Sequence, residues 1–167
     1  MSTTKCISPI DGSLYAEREC LTKDAAMAAV ARARAAQKAW AARPLAERTR
    51  LVMGALDEIE RTKDRMVTEL AHQMGRPVRY GGEFGGLQER ATHMAKIAED
   101  ALAPKIIEDS AQFTRKIARE PHGVVFVVAP WNYPYMTANN TIAPALIAGN
   151  TVILKHGADH SGRRTSG

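Results

Sequence analysis

Residues 121–134 read PHGVVFVVAPWNYP, and residues 144–155 read PALIAGNTVILK. The run 124–128 contains only valine and phenylalanine, which is typical of a strand that is buried on both faces in a parallel sheet. Residues 141–148 predict a short helix, and residues 151–154 predict a second buried strand. A strand, a helix and a strand in this order predict a βαβ unit, whose strands are parallel and whose crossover is right-handed.

Polar and aromatic side chains stand where the two predicted strands end. Trp131, Asn132 and Tyr133 lie between two prolines after the first strand, and Lys155 ends the second. Ligands of open α/β sheets bind outside the carboxyl ends of the strands, so we predict a ligand site at this edge. From the residues alone, other interpretations stay open. An asparagine here also suits a turn cap, the aromatic residues also suit ordinary packing, and the lysine also suits an exposed surface.

The chain before this unit predicts mainly helices. The predicted elements are a turn over 8–13, a strand over 14–19, helices over 24–42, 45–74 and 87–103, and a half-exposed strand over 112–120. Thr22 is the expected cap of the first helix, and Gly75 the expected end of the second. The glycines in residues 81–86 are out of register for a phosphate loop and follow no strand, so we interpret this segment as a mobile join.

The composition is that of a soluble globular domain. The 167 residues are 45% hydrophobic and 25% charged, with a net charge of +5. Basic residues are interspersed with acidic ones along the helices, which argues against nucleic-acid binding. The longest apolar run is too short to span a membrane, and the N-terminus does not resemble a signal peptide, so we expect a cytoplasmic protein. Cys6 and Cys20 have no metal-site spacing, and we predict no metal site and no disulfide framework.

The Pro-Trp-Asn of residues 130–132 and the Leu-Lys of residues 154–155 closely resemble motifs of the NAD(P)-dependent aldehyde dehydrogenase family. The Ala-rich helix that ends near Trp40 and the Met-Gly-Arg-Pro of residues 74–77 also look like the start of that family. The resemblance spans nearly everything before His156. It implies an α/β fold in which N-terminal helices precede the first βαβ unit of an incomplete Rossmann-like cofactor-binding domain. We therefore divide the chain into residues 1–156, a partial aldehyde dehydrogenase domain, and residues 157–167, an aberrant and disordered tail.

The resemblance also implies roles for the strand-end residues. Asn132 matches the asparagine whose side-chain amide donates to the oxyanion of the tetrahedral intermediate. Pro130, Trp131 and Lys155 match cofactor-binding positions, with the lysine at the adenosine ribose, and Tyr133 matches the substrate tunnel. The cofactor is NAD or NADP; Ala158 stands where many NAD-preferring relatives have a glutamate, so the choice between them stays open.

The expected function is therefore that of an oxidoreductase that oxidises an aldehyde to a carboxylic acid with NAD(P)+. The family's nucleophilic cysteine and general-base glutamate have no counterpart here, so we interpret the chain as a truncated fragment that is inactive alone. The alternative is a non-enzymatic interaction module that docks on a full-length homologue. The expected partners are a small-molecule aldehyde and further copies of the chain, through self-association or a homo-oligomer, with no nucleic acid and no membrane.

Overall fold

A computed structural model describes residues 3–157 of the chain. The elements in chain order are β1 (Thr3–Ile7), β2 (Leu14–Glu19), α1 (Lys23–Ala41), α2 (Leu45–Glu60), α3 (Lys63–Met74), α4 (Phe84–Leu102), β3 (Lys105–Asp109), β4 (Thr114–Ile117), β5 (Val124–Val128), α5 (Pro134–Ile147) and β6 (Thr151–Lys155). A short 3₁₀ turn over Val78–Tyr80 precedes α4. The tail predicted over 157–167 lies outside the described residues from Ala158 onward.

The predicted βαβ unit is confirmed. Strands β5 and β6 are parallel, with Val124 opposite Thr151 and Val128 opposite Lys155. The buried Asn150 joins the beginnings of both strands, because its Oδ1 accepts a hydrogen bond from the Gly123 amide at 2.9 Å. Helices before this unit and a single crossover helix within it give the incomplete α/β architecture that the sequence predicts.

Two antiparallel hairpins flank the helices. Strand β2 is as predicted, and β1 pairs with it; β3 pairs with β4 between α4 and β5. The sequence analysis missed β1 and β3, since each is a five-residue strand without regular alternation. The strand predicted over 112–120 is shorter in the structure, and the four residues of β4 are all exposed rather than half-buried.

The prediction of a single helix over 45–74 was wrong. The structure has two helices, α2 and α3, separated at Arg61 and Thr62. The hydroxyl of Thr62 donates to the Ile59 carbonyl at 2.8 Å, and its amide donates to the same carbonyl at 3.0 Å. These local bonds take the place of the i to i−4 hydrogen bonds of a continuous helix. Threonine side chains often compete with helical hydrogen bonding in this way. Helix α3 ends as predicted at Gly75, whose φ of 76° is left-handed.

Helices α4 and α5 begin earlier than predicted. Helix α4 begins at Phe84 instead of residue 87, because Phe84 is a buried core residue and its burial outweighs the low helix propensity of two following glycines. A Cβ on Gly86 would lie 2.9 Å from the Met136 Sδ, so this glycine permits close packing of α4 on α5. Helix α5 begins at Pro134 instead of residue 141, with the proline in its first turn, where the missing N–H costs nothing. Residues 84–86 therefore belong to helix α4, and only residues 81–83 connect it to the preceding 3₁₀ turn.

The main core lies between α2, α4 and α5. Its buried members are Val52, Leu56, Phe84, Leu87, Ala91, Ala98, Ala143 and Ile147. This cluster holds the crossover helix α5 against the N-terminal helices. Because α5 connects the end of β5 to the beginning of β6, the same core also fixes α5 relative to this pair of strands.

The prediction that both strands are buried on both faces was wrong for the described residues. Phe126 is 65% exposed and Val128 is 60% exposed, whereas Val127 between them is 5% exposed. The physical reason is that, among the described residues, the elements that pack most on this pair of strands are α1 and α5, which leave Phe126 and Val128 uncovered. Among residues 3–157, no helix combines the length and the apolar character that crossing a membrane requires.

Candidate functional site

The ends of β5 and β6 lie side by side. The Ala129 amide donates to the Lys155 carbonyl at 2.9 Å, which continues the parallel ladder past the last pair of β5 residues. A Cβ on Gly157 would lie 2.8 Å from the Trp131 nitrogen, so the backbone after β6 is in close contact with the backbone after β5. Pro130, Trp131 and Lys155 thus belong to one edge of the sheet.

Asn132 lies in the bend between β5 and α5 and is exposed. Its backbone carbonyl accepts a hydrogen bond from Arg76 Nη2 at 2.7 Å. Within residues 3–157 its side-chain amide makes no hydrogen bond, and the N-cap of α5 is Tyr133, without a side-chain cap bond. In the structure, therefore, Asn132 does not cap the helix α5. The amide is available to donate to a ligand, while the backbone beneath it is held.

A buried ion pair lies beneath this bend. Arg76 Nη1 and Glu83 Oε1 are 2.8 Å apart, and their side chains are 11% and 1% exposed. The other carboxylate oxygen of Glu83 accepts from the Met136 amide at 2.8 Å. Met136 is in the first turn of α5, whose free amides attract negative charge, so Glu83 provides the cap that this helix otherwise lacks.

The aromatic residues of the bend are half-exposed. Trp131 is 45% exposed and Tyr133 is 47% exposed, and the Arg76 guanidinium lies 4.4 Å from the centre of the Tyr133 ring. The neighbouring Tyr135 is more enclosed. Burial, with further contributions from the carboxylates of Glu69 and Glu83, raises the pKa of Tyr135 above its ordinary value, so this phenol is neutral at physiological pH.

Lys155 ends β6 and is exposed. Its Nζ lies 3.1 Å from the carbonyl oxygen of His156, and an ammonium has three N–H donors. Among residues 3–157, two of these donors thus have no partner and remain for hydroxyl or phosphate oxygens of a ligand at the sheet edge. Lys155 and Asn132 therefore bring an ammonium and an amide donor to the region where β5 and β6 end, which also holds the half-exposed Trp131 and Tyr133.

The two cysteines differ in their surroundings. Cys6 is buried, and its Sγ lies 4.0 Å from the carbonyl oxygen of Gln73. Cys20 is exposed, and its Sγ lies 3.3 Å from Thr4 Oγ1. Neither contact is with a base of the kind that activates a nucleophilic thiol.

The sequence analysis missed Arg76 and Glu83. Arg76 was noted only as part of a helix end, and Glu83 only as one residue of a glycine-rich join. A charged residue between glycines gives no sign of burial. A weak signal was Pro134, since a proline suits the first turn of a helix and Tyr133 before it is not a capping residue type. The first amides of such a helix need water or an acid from elsewhere in the chain.

Comparisons with known proteins agree with this architecture. The model of the aldehyde dehydrogenase family matches residues 1–161. N-succinylglutamate 5-semialdehyde dehydrogenase 1 of Caulobacter vibrioides is 33% identical over 162 residues, which are 93% of this chain and 33% of that protein. The chain spans about a third or less of the length of the curated relatives it matches, 27% and 33% for two of them.

Solved structures give the same result. The NADP-dependent glyceraldehyde-3-phosphate dehydrogenase of Bacillus halodurans, complexed with NADP, superposes with a TM-score of 0.83 at 29% identity, covering 92% of this chain and 33% of that one. PnpE of Pseudomonas sp. WBC-3, in complex with nicotinamide adenine dinucleotide, superposes with a TM-score of 0.79 at 32% identity, covering 93% of this chain and 32% of that one. The family match and these similarities show that the chain belongs to the aldehyde dehydrogenase family and corresponds to an N-terminal portion of its members.

Proposed function

We propose that this chain supplies the oxyanion donor and part of the cofactor crevice of an enzyme that oxidises aldehydes to carboxylic acids with NAD(P)+. The observation that carries the proposal is the placement of Asn132. Its amide is exposed and has no hydrogen bond within residues 3–157, while its backbone is held by Arg76 at 2.7 Å. A preorganised neutral donor of this kind stabilises negative charge that develops on a substrate oxygen.

The chemistry assigns a different task to each strand end. Attack on an aldehyde carbonyl turns its oxygen into an oxyanion, and the Asn132 amide donates to that oxygen more strongly as its charge grows. Lys155 donates to the ribose of the dinucleotide at the carboxyl end of β6. Trp131 and Pro130 flank the cofactor, and Tyr133 lines the path of the aldehyde. The nicotinamide, when bound, accepts the hydride.

A chimera tests this proposal. Residues 1–156 replace the matched N-terminal part of the Caulobacter vibrioides relative, which supplies the remaining two thirds of the family length. We expect the chimera to form NAD(P)H in proportion to the aldehyde that it consumes. A folded chimera that binds NAD(P)+ but oxidises no aldehyde, beside an active parent enzyme, would contradict the proposal.

By itself, the chain of 167 residues is proposed to be inactive. Oxidation in this family requires a positioned thiolate, and Cys6 and Cys20 lie far upstream of the strand-end motifs and match no nucleophile of the family. The purified chain should therefore form no NAD(P)H above background. Steady NAD(P)H formation that persists in the Cys6→Ser and Cys20→Ser variants would refute this inactivity without refuting the family assignment.

A second candidate function is docking on a full-length homologue. The observation that favours it is the apolar face of β5, where Phe126 and Val128 are 65% and 60% exposed. Sedimentation of the chain mixed with the Caulobacter vibrioides enzyme tests this candidate. A complex that is lost in the Phe126→Thr/Val128→Thr variant supports docking, and independent sedimentation of the two proteins contradicts it.

A further inference from the structure

The Glu83 carboxylate is fixed in one orientation. Glu83 is 4% exposed, and each of its two oxygens has a different partner at 2.8 Å, Arg76 through Oε1 and the Met136 amide through Oε2. Charge-assisted hydrogen bonds to both oxygens leave the group no freedom to rotate. The beginning of α4 is thereby tied to the first turn of α5.

The Arg76 guanidinium makes three contacts at the same point. One Nη donates to Glu83, the other donates to the Asn132 carbonyl at 2.7 Å, and its face lies 4.4 Å from the centre of the Tyr133 ring. The planar fork of an arginine satisfies all three contacts together, whereas a lysine ammonium cannot bridge two acceptors and stack on a ring in the same way.

We propose that Arg76 and Glu83 are positioning residues for the oxyanion donor. The pair holds the Asn132 backbone and the Tyr133 ring in fixed relation to α5, so that the Asn132 amide is presented to the substrate oxygen without reorganisation. This inference rests on the function proposed for Asn132. Neither member of the pair touches the reacting atoms in this account, and each acts through the bend that it holds.

Burial distinguishes the pair of Arg76 and Glu83 from the other ion pairs, whose role is ordinary surface stabilisation. The other ion pairs of the described residues have side chains at least 36% exposed, whereas this pair is 11% and 1% exposed. A buried pair often contributes little to stability compared with apolar residues of the same volume, and in some proteins such pairs instead fix a particular geometry. A catalytic donor that must be held to within about half an ångström benefits from such specification.

Fluorescence of Trp131 in the full chain provides the first test. In a Trp40→Phe background Trp131 is the remaining tryptophan, and acrylamide quenching reports its accessibility. Arg76→Lys and Glu83→Gln are expected to raise the quenching constant up to about twofold, since Trp131 is already 45% exposed. Glu58→Gln, which removes the exposed pair of Glu58 and Arg61, is the matched control and should leave quenching unchanged.

Circular dichroism shows whether these variants fold. If either single variant is unfolded, the double variant Arg76→Met/Glu83→Leu, which removes both buried charges together, is expected to fold. Its quenching constant should still be raised. A folded variant that lacks the pair and keeps the native quenching constant would overturn the proposal.

The chimera described above provides the kinetic test. Arg76→Lys is expected to lower kcat at least about tenfold, as misplacement of a catalytic group does, with an unchanged KM for NAD(P)+. Glu58→Gln should change neither constant. An unchanged kcat in Arg76→Lys overturns the positioning role. An inactive chimera with native Arg76 counts instead against the proposed function, and the fluorescence test still decides the role of the pair.

Discussion

Replacing Ile147 by alanine should destabilise the chain strongly, because this residue anchors in the core the helix α5 that connects β5 to β6. Ile147 is 2% exposed and belongs to the core between α2, α4 and α5. The substitution removes three carbon atoms, and each is worth about 0.8 kcal/mol of burial. With the cavity that remains, we expect the free energy of unfolding to fall by about 3–4 kcal/mol.

Urea denaturation followed by circular dichroism measures this change, and Ile97→Ala is the matched control. Both positions are helical isoleucines, but Ile97 in α4 is 38% exposed. The control should lose less than about 1 kcal/mol, since alanine also has the better helix propensity. Equal losses at Ile147 and Ile97 would refute the assignment of the core.

Three further predictions concern other parts of the chain. Gly54 is an exposed residue inside α2 with no atom within 4 Å of an added Cβ, so Gly54→Ala should raise the unfolding free energy by about 0.5–1 kcal/mol in the same urea assay. The raised pKa of Tyr135 favours its protonated form in the folded state. The contribution of this shift to folding stability is therefore present below the ordinary pKa of 10.0 and is lost as the pH rises through the higher pKa of the folded state. Across this alkaline range the melting temperature of the wild type should therefore fall relative to that of Tyr135→Phe as the pH rises, and parallel curves would contradict this. The exposed apolar face of β5 should cause self-association, and sedimentation velocity should show smaller species for Phe126→Thr/Val128→Thr, whereas unchanged aggregates would point to a different surface.

The features that the sequence predicted well depend on short-range patterns. The apolar run of β5, the strand β6 and the left-handed end of α3 at Gly75 each follow from a few adjacent residues. The family resemblance was also carried by local motifs. That Asn132 and Lys155 lie at one edge follows from parallel pairing, in which the carboxyl ends of neighbouring strands meet.

The features that the sequence analysis missed depend on contacts between distant residues. Glu83 is buried because its carboxylate meets Arg76 and the Met136 amide, 53 residues away, and no local pattern predicts such a pairing. Helix α4 likewise begins at Phe84 because that ring enters a core built by other helices. The break at Thr62 is different, since it results from local hydrogen bonds that compete with a continuous helical periodicity.

The central claim is that Asn132 acts on transition-state charge, whereas Lys155 acts on the bound cofactor. Steady-state kinetics of the chimera with Asn132→Ala and Lys155→Ala test it most directly. We predict that Asn132→Ala lowers kcat by about a hundredfold or more, and that Lys155→Ala mainly raises the KM for NAD(P)+. A native kcat in Asn132→Ala, with the same loss of cofactor affinity in both variants, would contradict the account.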